Sequence, residues 1–144
     1  MPICINHSLI LTWPLSKYWL KFIIGENTSS KARNYLNSKF WTLTYPTNAL
    51  IPMAQLVKKI NKKNFSNVNI PALFYFSLDD KVVDAKKTND FIQNWGGKST
   101  TYNVTMSKDD DKYSHVIVGD IISPNQTETA YKIMIKWINN TKSR

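Results

Sequence analysis

The chain has 144 residues, 42% hydrophobic and 12% aromatic, enough for one domain's core and too apolar for a disordered chain. A single cysteine, Cys4, excludes an internal disulfide and a thiolate zinc cluster. With only His7 and His115 as further soft ligands, no metal and no cofactor are expected. The formal charge is +9, yet Arg33 and Arg144 are the only arginines, and bidentate base contacts favour Arg. Lys, Asn and Ile share AT-rich codons, so the basicity reads as genome composition, and no nucleic-acid partner is expected.

No run of about 18 apolar residues occurs, so no membrane span is expected. The apolar stretch Leu9 to Ile24 is broken by Thr12, Pro14, Ser16, Lys17 and Lys21 and has no basic lead-in. No secretory signal is read there, and the expected compartment is cytoplasmic. Trp13–Ile24 and Thr28–Phe40 read as short helices. Tyr45–Ile60 reads as a longer one with Ala49, Leu50, Met53, Leu56, Val57 and Ile60 facing inward. Lys58, Lys59, Lys62 and Lys63 at its exit read as a solvated face rather than a phosphate-binding cluster.

The pattern changes near Asn64. Residues 1–64 form an irregular, aromatic, helical segment. Residues 65–144 alternate between strand and helix patterns. The near-continuous apolar run from Ile70 to Phe76 suits a strand buried on both faces, with Pro71 tolerable only near its start. A polar turn, Ser77-Leu78-Asp79-Asp80, follows. Asp84 then N-caps a helix with Ala85, Thr88, Phe91, Ile92 and Trp95 on its inner stripe. Gly96-Gly97 ends that helix through the left-handed conformation open to glycine.

Ser99–Thr105, rich in Thr, Tyr and Val, predicts a second strand. A polar loop spans Met106–Ser114. Ser123-Pro124-Asn125-Gln126 predicts a helix start, with Ser123 as cap and Gln126 closing a capping box. Its inner face is expected at Thr127, Tyr131, Met134, Ile135 and Ile138. The fold class is therefore α/β, in the order strand, helix, strand, loop, helix, with parallel strands and a right-handed crossover. Two strands bury too little alone, so more sheet is expected. The open side of Ala72–Phe76 predicts self-association.

In an open parallel sheet, functional groups gather beyond the carboxyl ends of the strands. Asp79, Asp80 and Asp84 follow the first strand there, and His115 follows the second. An Asp bonded to a His fixes the imidazole tautomer and leaves the other ring nitrogen as a general base. The bland alternatives are turn chemistry for the acids and a surface histidine. Asp109-Asp110-Asp111 lacks the spacing of a calcium loop and reads as a solvated acidic loop. Cys4 beside His7 reads as incidental, and no glycine-rich phosphate loop exists.

Pro71-Ala72-Leu73-Phe74-Tyr75-Phe76-Ser77-Leu78-Asp79-Asp80-Lys81-Val82-Val83-Asp84 resembles the acid-bearing strand and turn of α/β-hydrolase-fold serine hydrolases. The segment Ser114 to Asp120, followed by Ile121-Ile122-Ser123-Pro124, resembles the histidine loop and last helix of bacterial esterase or lysophospholipase-like members. Trp41 to Met53 is similar to their cap region. The resemblance implies a catalytic pair, Asp80 and His115, and hydrolysis of carboxylic, including lipid, esters. Trp13, Trp19, Phe40 and Trp41 would then line an acyl pocket or pack as core. The family's order is Ser, acid, His, with the nucleophile in a G-x-S-x-G elbow, and this chain contains no such motif.

The reading is thus the cap and C-terminal half of a larger serine hydrolase, inactive alone. One alternative is a subunit of a split hydrolase completed by an N-terminal partner. Another is a basic binding module on the same fold, without catalysis. A small-molecule ester is the expected substrate once the enzyme is complete.

Overall fold

The computed structural model describes residues 22–142, and the chain divides into two units, residues 1–63 and 64–144. Of the helix expected over Trp13–Ile24, only 22–24 are described, and they are helical. Cys4, His7, Trp13 and Trp19 lie outside the described residues.

In the first unit the helix expected over Thr28–Phe40 is replaced by a strand and a shorter helix. Strand β1 (Asn27–Ser29) pairs antiparallel with β2 (Thr44–Pro46). Thr28, Ser29 and Thr44 carry hydroxyls that serve this hairpin, with Ser29 Oγ and Thr44 Oγ1 3.0 Å apart. Helix α1 (Tyr35–Phe40) starts where the Asn34 side chain accepts from Asn37 N at 2.8 Å, an asparagine N-cap. That local bond competes with helix further upstream. A short 3-10 turn, Thr47–Ala49, leads into α2 (Leu50–Asn61). Thr47 is fully buried, and its hydroxyl donates to Gly25 O at 2.7 Å.

The inner face of α2 differs from the expected one. Leu50 and Ala54 are buried, with Tyr45 and Ile51 packed against them. Met53, Leu56 and Ile60 point to solvent, at 52%, 59% and 42% exposure. The sequence offers two apolar stripes on one helix, and packing of Ala54, the smaller side chain, decides which one turns inward.

In the second unit the apolar run forms β3 (Ala72–Phe76), parallel to β4 (Ser99–Asn103). Helix α3 (Ala85–Gln93) connects them, and α4 (Pro124–Lys142) follows the loop. The expected stripe of α3 is found: Ala85, Thr88, Phe91, Ile92 and Trp95 are all half-buried. Phe91 and Trp95 pack on Phe74, with centroids 6.0 and 5.8 Å away, and Phe65 joins at 4.8 Å from Phe91. Trp95 Nε1–H donates to Ile70 O at 2.9 Å, so the half-buried indole has a partner.

Gly96 and Gly97 end this helix for another reason than the expected one, since neither has a positive φ. A Cβ on Gly96 would stand 1.8 Å from Ser66 O, and one on Gly97 2.2 Å from Ile70 O. The glycines let the chain before β3 lie against the chain before β4.

Trp137 of α4 reaches the sheet, its Nε1–H donating to Thr100 Oγ1 at 3.3 Å. Thr100 lies beside Leu73 in register and so shares a face with Tyr75 and Tyr102, opposite Phe74. Tyr75 and Tyr102 stack at 5.3 Å on that face. Burial and the neighbouring Tyr102 push the Tyr75 phenol up from its ordinary pKa. On α4 the expected stripe is again displaced: Gln126 and Ala130 are buried, whereas Tyr131, Met134, Ile135 and Ile138 are exposed. The architecture is α/β with a small parallel pair between two helices.

Ala72 N donates to Lys98 O, and Phe76 O accepts from Val104 N. By alternation, the backbone groups of Ala72, Phe74 and Phe76 face β4, and those of Leu73 and Tyr75 face the opposite edge. Among the described residues no strand pairs with that edge. No described helix is long and apolar enough to cross a membrane.

Candidate active site

The turn after β3 is built by short polar side chains. Ser77, almost fully buried, accepts from Asp79 N at its Oγ (3.2 Å), and its carbonyl accepts from Asp80 N. The Asp80 carboxylate then bends the chain back on itself. Its Oδ1 accepts from Val82 N at 2.7 Å and Val83 N at 2.8 Å. This Asx-type turn fixes the carboxylate through its own backbone and leaves Oδ2 for a further donor.

That donor is His115. Its Nδ1 lies 2.9 Å from Asp80 Oδ2. An ionised carboxylate only accepts, so Nδ1 carries the proton and Nε2 is the basic ring nitrogen. The Asp80 side chain is 14% exposed and that of His115 41%, so the pair is shielded on the acid side and open on the imidazole side. Asp79 is exposed. Asp84 accepts from Lys86 N at 2.9 Å and caps α3 as expected. Of the three acids in the turn, Asp80 alone meets the histidine.

The histidine loop and the end of β4 each hold the acid turn. Lys81 N donates to Tyr113 O at 2.9 Å, and Leu78 N donates to Asn103 Oδ1, at the end of β4, at 2.9 Å. Both turns leave the carboxyl edge of the parallel pair, which is why residues 35 positions apart meet.

The reading of Asp109-Asp110-Asp111 as a solvated loop is corrected for two of its members: Asp110 and Asp111 are buried. The Asp111 carboxylate accepts from Tyr113 N at 3.0 Å, His115 N at 3.2 Å and Val116 N at 2.8 Å. It holds the backbone of the histidine directly. Ser123 serves the same loop rather than capping α4, its Oγ accepting from Asp111 N at 3.1 Å and donating to Val116 O. The wound loop places Ser114 at φ 51°, in the left-handed region that costs a non-glycine residue about a kcal/mol.

Asp110 takes over the cap. Its Oδ1 accepts from Asn125 N in the first turn of α4 at 3.2 Å, and its Oδ2 accepts from Gln126 Nε2 at 2.8 Å and Ser107 N at 3.0 Å. Gln126 therefore bonds to Asp110 instead of closing a box with Ser123. Burial pushes the Asp110 carboxyl upward, but the bonds from Gln126, Ser107 and Asn125 outweigh it and hold it below its ordinary value. Sequence reasoning missed these roles. An Asp two residues before a Tyr-Ser pair is an Asx-turn signal, but nothing in the sequence marks it as buried.

An open depression of about 650 Å³ is lined by Pro71, Lys98, Thr100 and Trp137 among others. Pro71 and Lys98 precede the two strands, so it sits at their amino ends, away from Asp80 and His115. It is no substrate site for that pair. Among the described residues no group of His, Cys, Asp and Glu side chains is arranged to hold a metal ion. Comparison with protein-family models, curated proteins and solved structures found no match for this chain.

Proposed function

We propose that the chain supplies the acid and the base of an α/β-hydrolase-fold serine hydrolase acting on carboxylic esters, lipid esters included, with the nucleophile coming from outside these 144 residues. His115 Nε2 takes the proton of the incoming serine hydroxyl and returns it to the leaving alcohol. Asp80 holds the tautomer and stabilises the imidazolium that forms between the two steps. The observation that carries this reading is the 2.9 Å contact between His115 Nδ1 and Asp80 Oδ2 at a strand-end turn. Three features support it. Asp80 is anchored by its own backbone, His115 is open to solvent, and β3 keeps an edge toward which further sheet would add. The segment before Asn64, with Phe40 and Trp41 exposed, is the cap in this reading.

In this reading the chain holds the acid and base half of the site. Treated with a fluorophosphonate, the isolated protein should carry no labelled serine; labelling that His115→Ala abolishes would place the nucleophile within the chain and overturn the proposal. Nitrogen NMR of the imidazole tests the pair directly. His115 should be protonated on Nδ1 at neutral pH, and Asp80→Asn should remove that preference. A proton on Nε2 in the unmodified chain would end the assignment. Where a polypeptide bearing G-x-S-x-G restores ester hydrolysis, His115→Ala and Asp80→Asn should each lower kcat by about 10⁴-fold or more.

A further inference from the structure

The positive charge is not spread evenly. Residues 1–63 hold nine basic side chains and a single acid, Glu26, a formal +8, whereas residues 64–144 hold ten basic and nine acidic side chains, a formal +1. The boundary is the one that separates the two units. Codon composition acts on the whole gene and does not explain a partition at a structural boundary.

The same unit exposes its apolar side chains. On α2, Met53, Leu56 and Ile60 are exposed and lie within an arc of about 60° at 3.6 residues per turn. Lys59 lies on one flank, about 60° beyond Leu56, and Lys63 follows just past the end of the helix. The other flank is the buried side, Leu50 and Ala54. An exposed aliphatic ridge edged by lysines is the pattern of a helix lying in a membrane interface, with the ridge among the acyl chains and the ammonium groups among the headgroups. Phe40 and Trp41 are exposed as well, and Lys39 Nζ sits 5.2 Å from the Phe40 ring centroid. Aromatic rings of this kind favour the headgroup level.

We propose that the unit before Asn64 is a peripheral anchor for an anionic lipid surface, seated through the Met53–Leu56–Ile60 face of α2 and its bordering lysines. The charge selects an anionic partner, and the ridge selects lipid among anionic partners. Phosphate backbones give no place to three adjacent aliphatic side chains, and they are met more often by Arg than by Lys. The inference is independent of the proposed chemistry of Asp80 and His115.

The full chain is sedimented with phosphatidylcholine vesicles with and without phosphatidylserine. It should bind the anionic vesicles and not the neutral ones, and rising salt should weaken the binding. Lys59→Glu with Lys63→Glu should weaken it at least about tenfold, since each lysine near such a surface contributes roughly fivefold. Met53→Ser, Leu56→Ser and Ile60→Ser together should weaken it comparably, because the ridge is what enters the acyl region. Lys86→Glu with Lys87→Glu, in the near-neutral unit, should leave it unchanged. Equal binding to neutral vesicles overturns the proposal, and so does equal loss in the Lys86 and Lys87 variant. Undiminished binding by the ridge variant overturns it in favour of a charge-only contact. Preference for duplex DNA over anionic vesicles at the same salt overturns it in favour of a nucleic-acid partner.

Discussion

Residues 64–142 bury six polar side chains and residues 22–63 bury two, Asn37 and Thr47, while both regions leave large apolar side chains in solvent. In the second region Ser77, Asp110, Asp111, Ser123 and Gln126 are buried, and each is tied to a backbone group or to another of these side chains. Buried polar groups are tolerated there because their partners are present. In the first region the buried hydrophobic residues are Leu50 and Ala54, while Tyr35, Phe40, Met53 and Leu56 stand in solvent. A bonded polar network of this kind specifies one conformation of the loop that carries His115. An exposed apolar face specifies a contact with something else.

In the second region a substitution costs most at the glycines. Gly96→Ala forces a Cβ to within 1.8 Å of Ser66 O, and the clash is with backbone, which cannot swing away. A loss of about 3 kcal/mol or more is expected, at the upper end of overpacking costs. Urea unfolding measures it, and a change within 0.5 kcal/mol would show that the two chain segments do not lie in contact.

Asp111→Ala leaves three backbone N–H groups without their acceptor. Roughly 2–3 kcal/mol should be lost, because bonds to a charged group are the stronger ones. The signature beyond stability is local: amide exchange at Tyr113, His115 and Val116 should rise in the variant, while Phe74 and Phe76 stay protected. Uniform acceleration across the unit would contradict a loop-specific role.

Leu50→Ala and Leu56→Ala make the same chemical change on one helix. Leu50 is buried and Leu56 is 59% exposed. About 2 kcal/mol is expected for the first, and a change within about 0.5 kcal/mol for the second. Thermal melts of the pair decide it; equal losses would mean that Leu56 is covered.

The smallest effect is that of pH. Asp110 is held below its ordinary value in the folded chain, so it favours folding above the unfolded pKa, and that contribution is lost as pH falls through the folded one. Acid titration of stability should therefore be shallower in Asp110→Asn below about pH 4, although the variant is less stable at pH 7. Parallel curves would remove Asp110 from the acid response.

The sequence marks two features of the candidate site. The Asp80–His115 pairing followed from two strand-end turns and a family likeness, and Asp84 announced itself as a cap by standing one residue before the amphipathic stripe of α3. The loop that presents His115 was not legible. Asp110, Asp111 and Ser123 are types that solvent, turns and caps all accept, and only the approach of α4's first turn to the Met106–Ser114 loop decides which acceptor each donor finds.

Local and periodic signals suffice for the apolar run of β3, the stripe of α3 and the Thr-rich strand β4. Elsewhere the outcome depends on packing between elements. On α2 and α4 two apolar stripes compete, and the inward one carries Ala54 or Ala130, where a small side chain fits against its neighbours. Gly96 and Gly97 look like helix terminators in one dimension and are spacers in three. Hydrophobic periodicity records which residues can be buried; the facing backbone determines which of them are, because close packing leaves room for only one of the two arrangements.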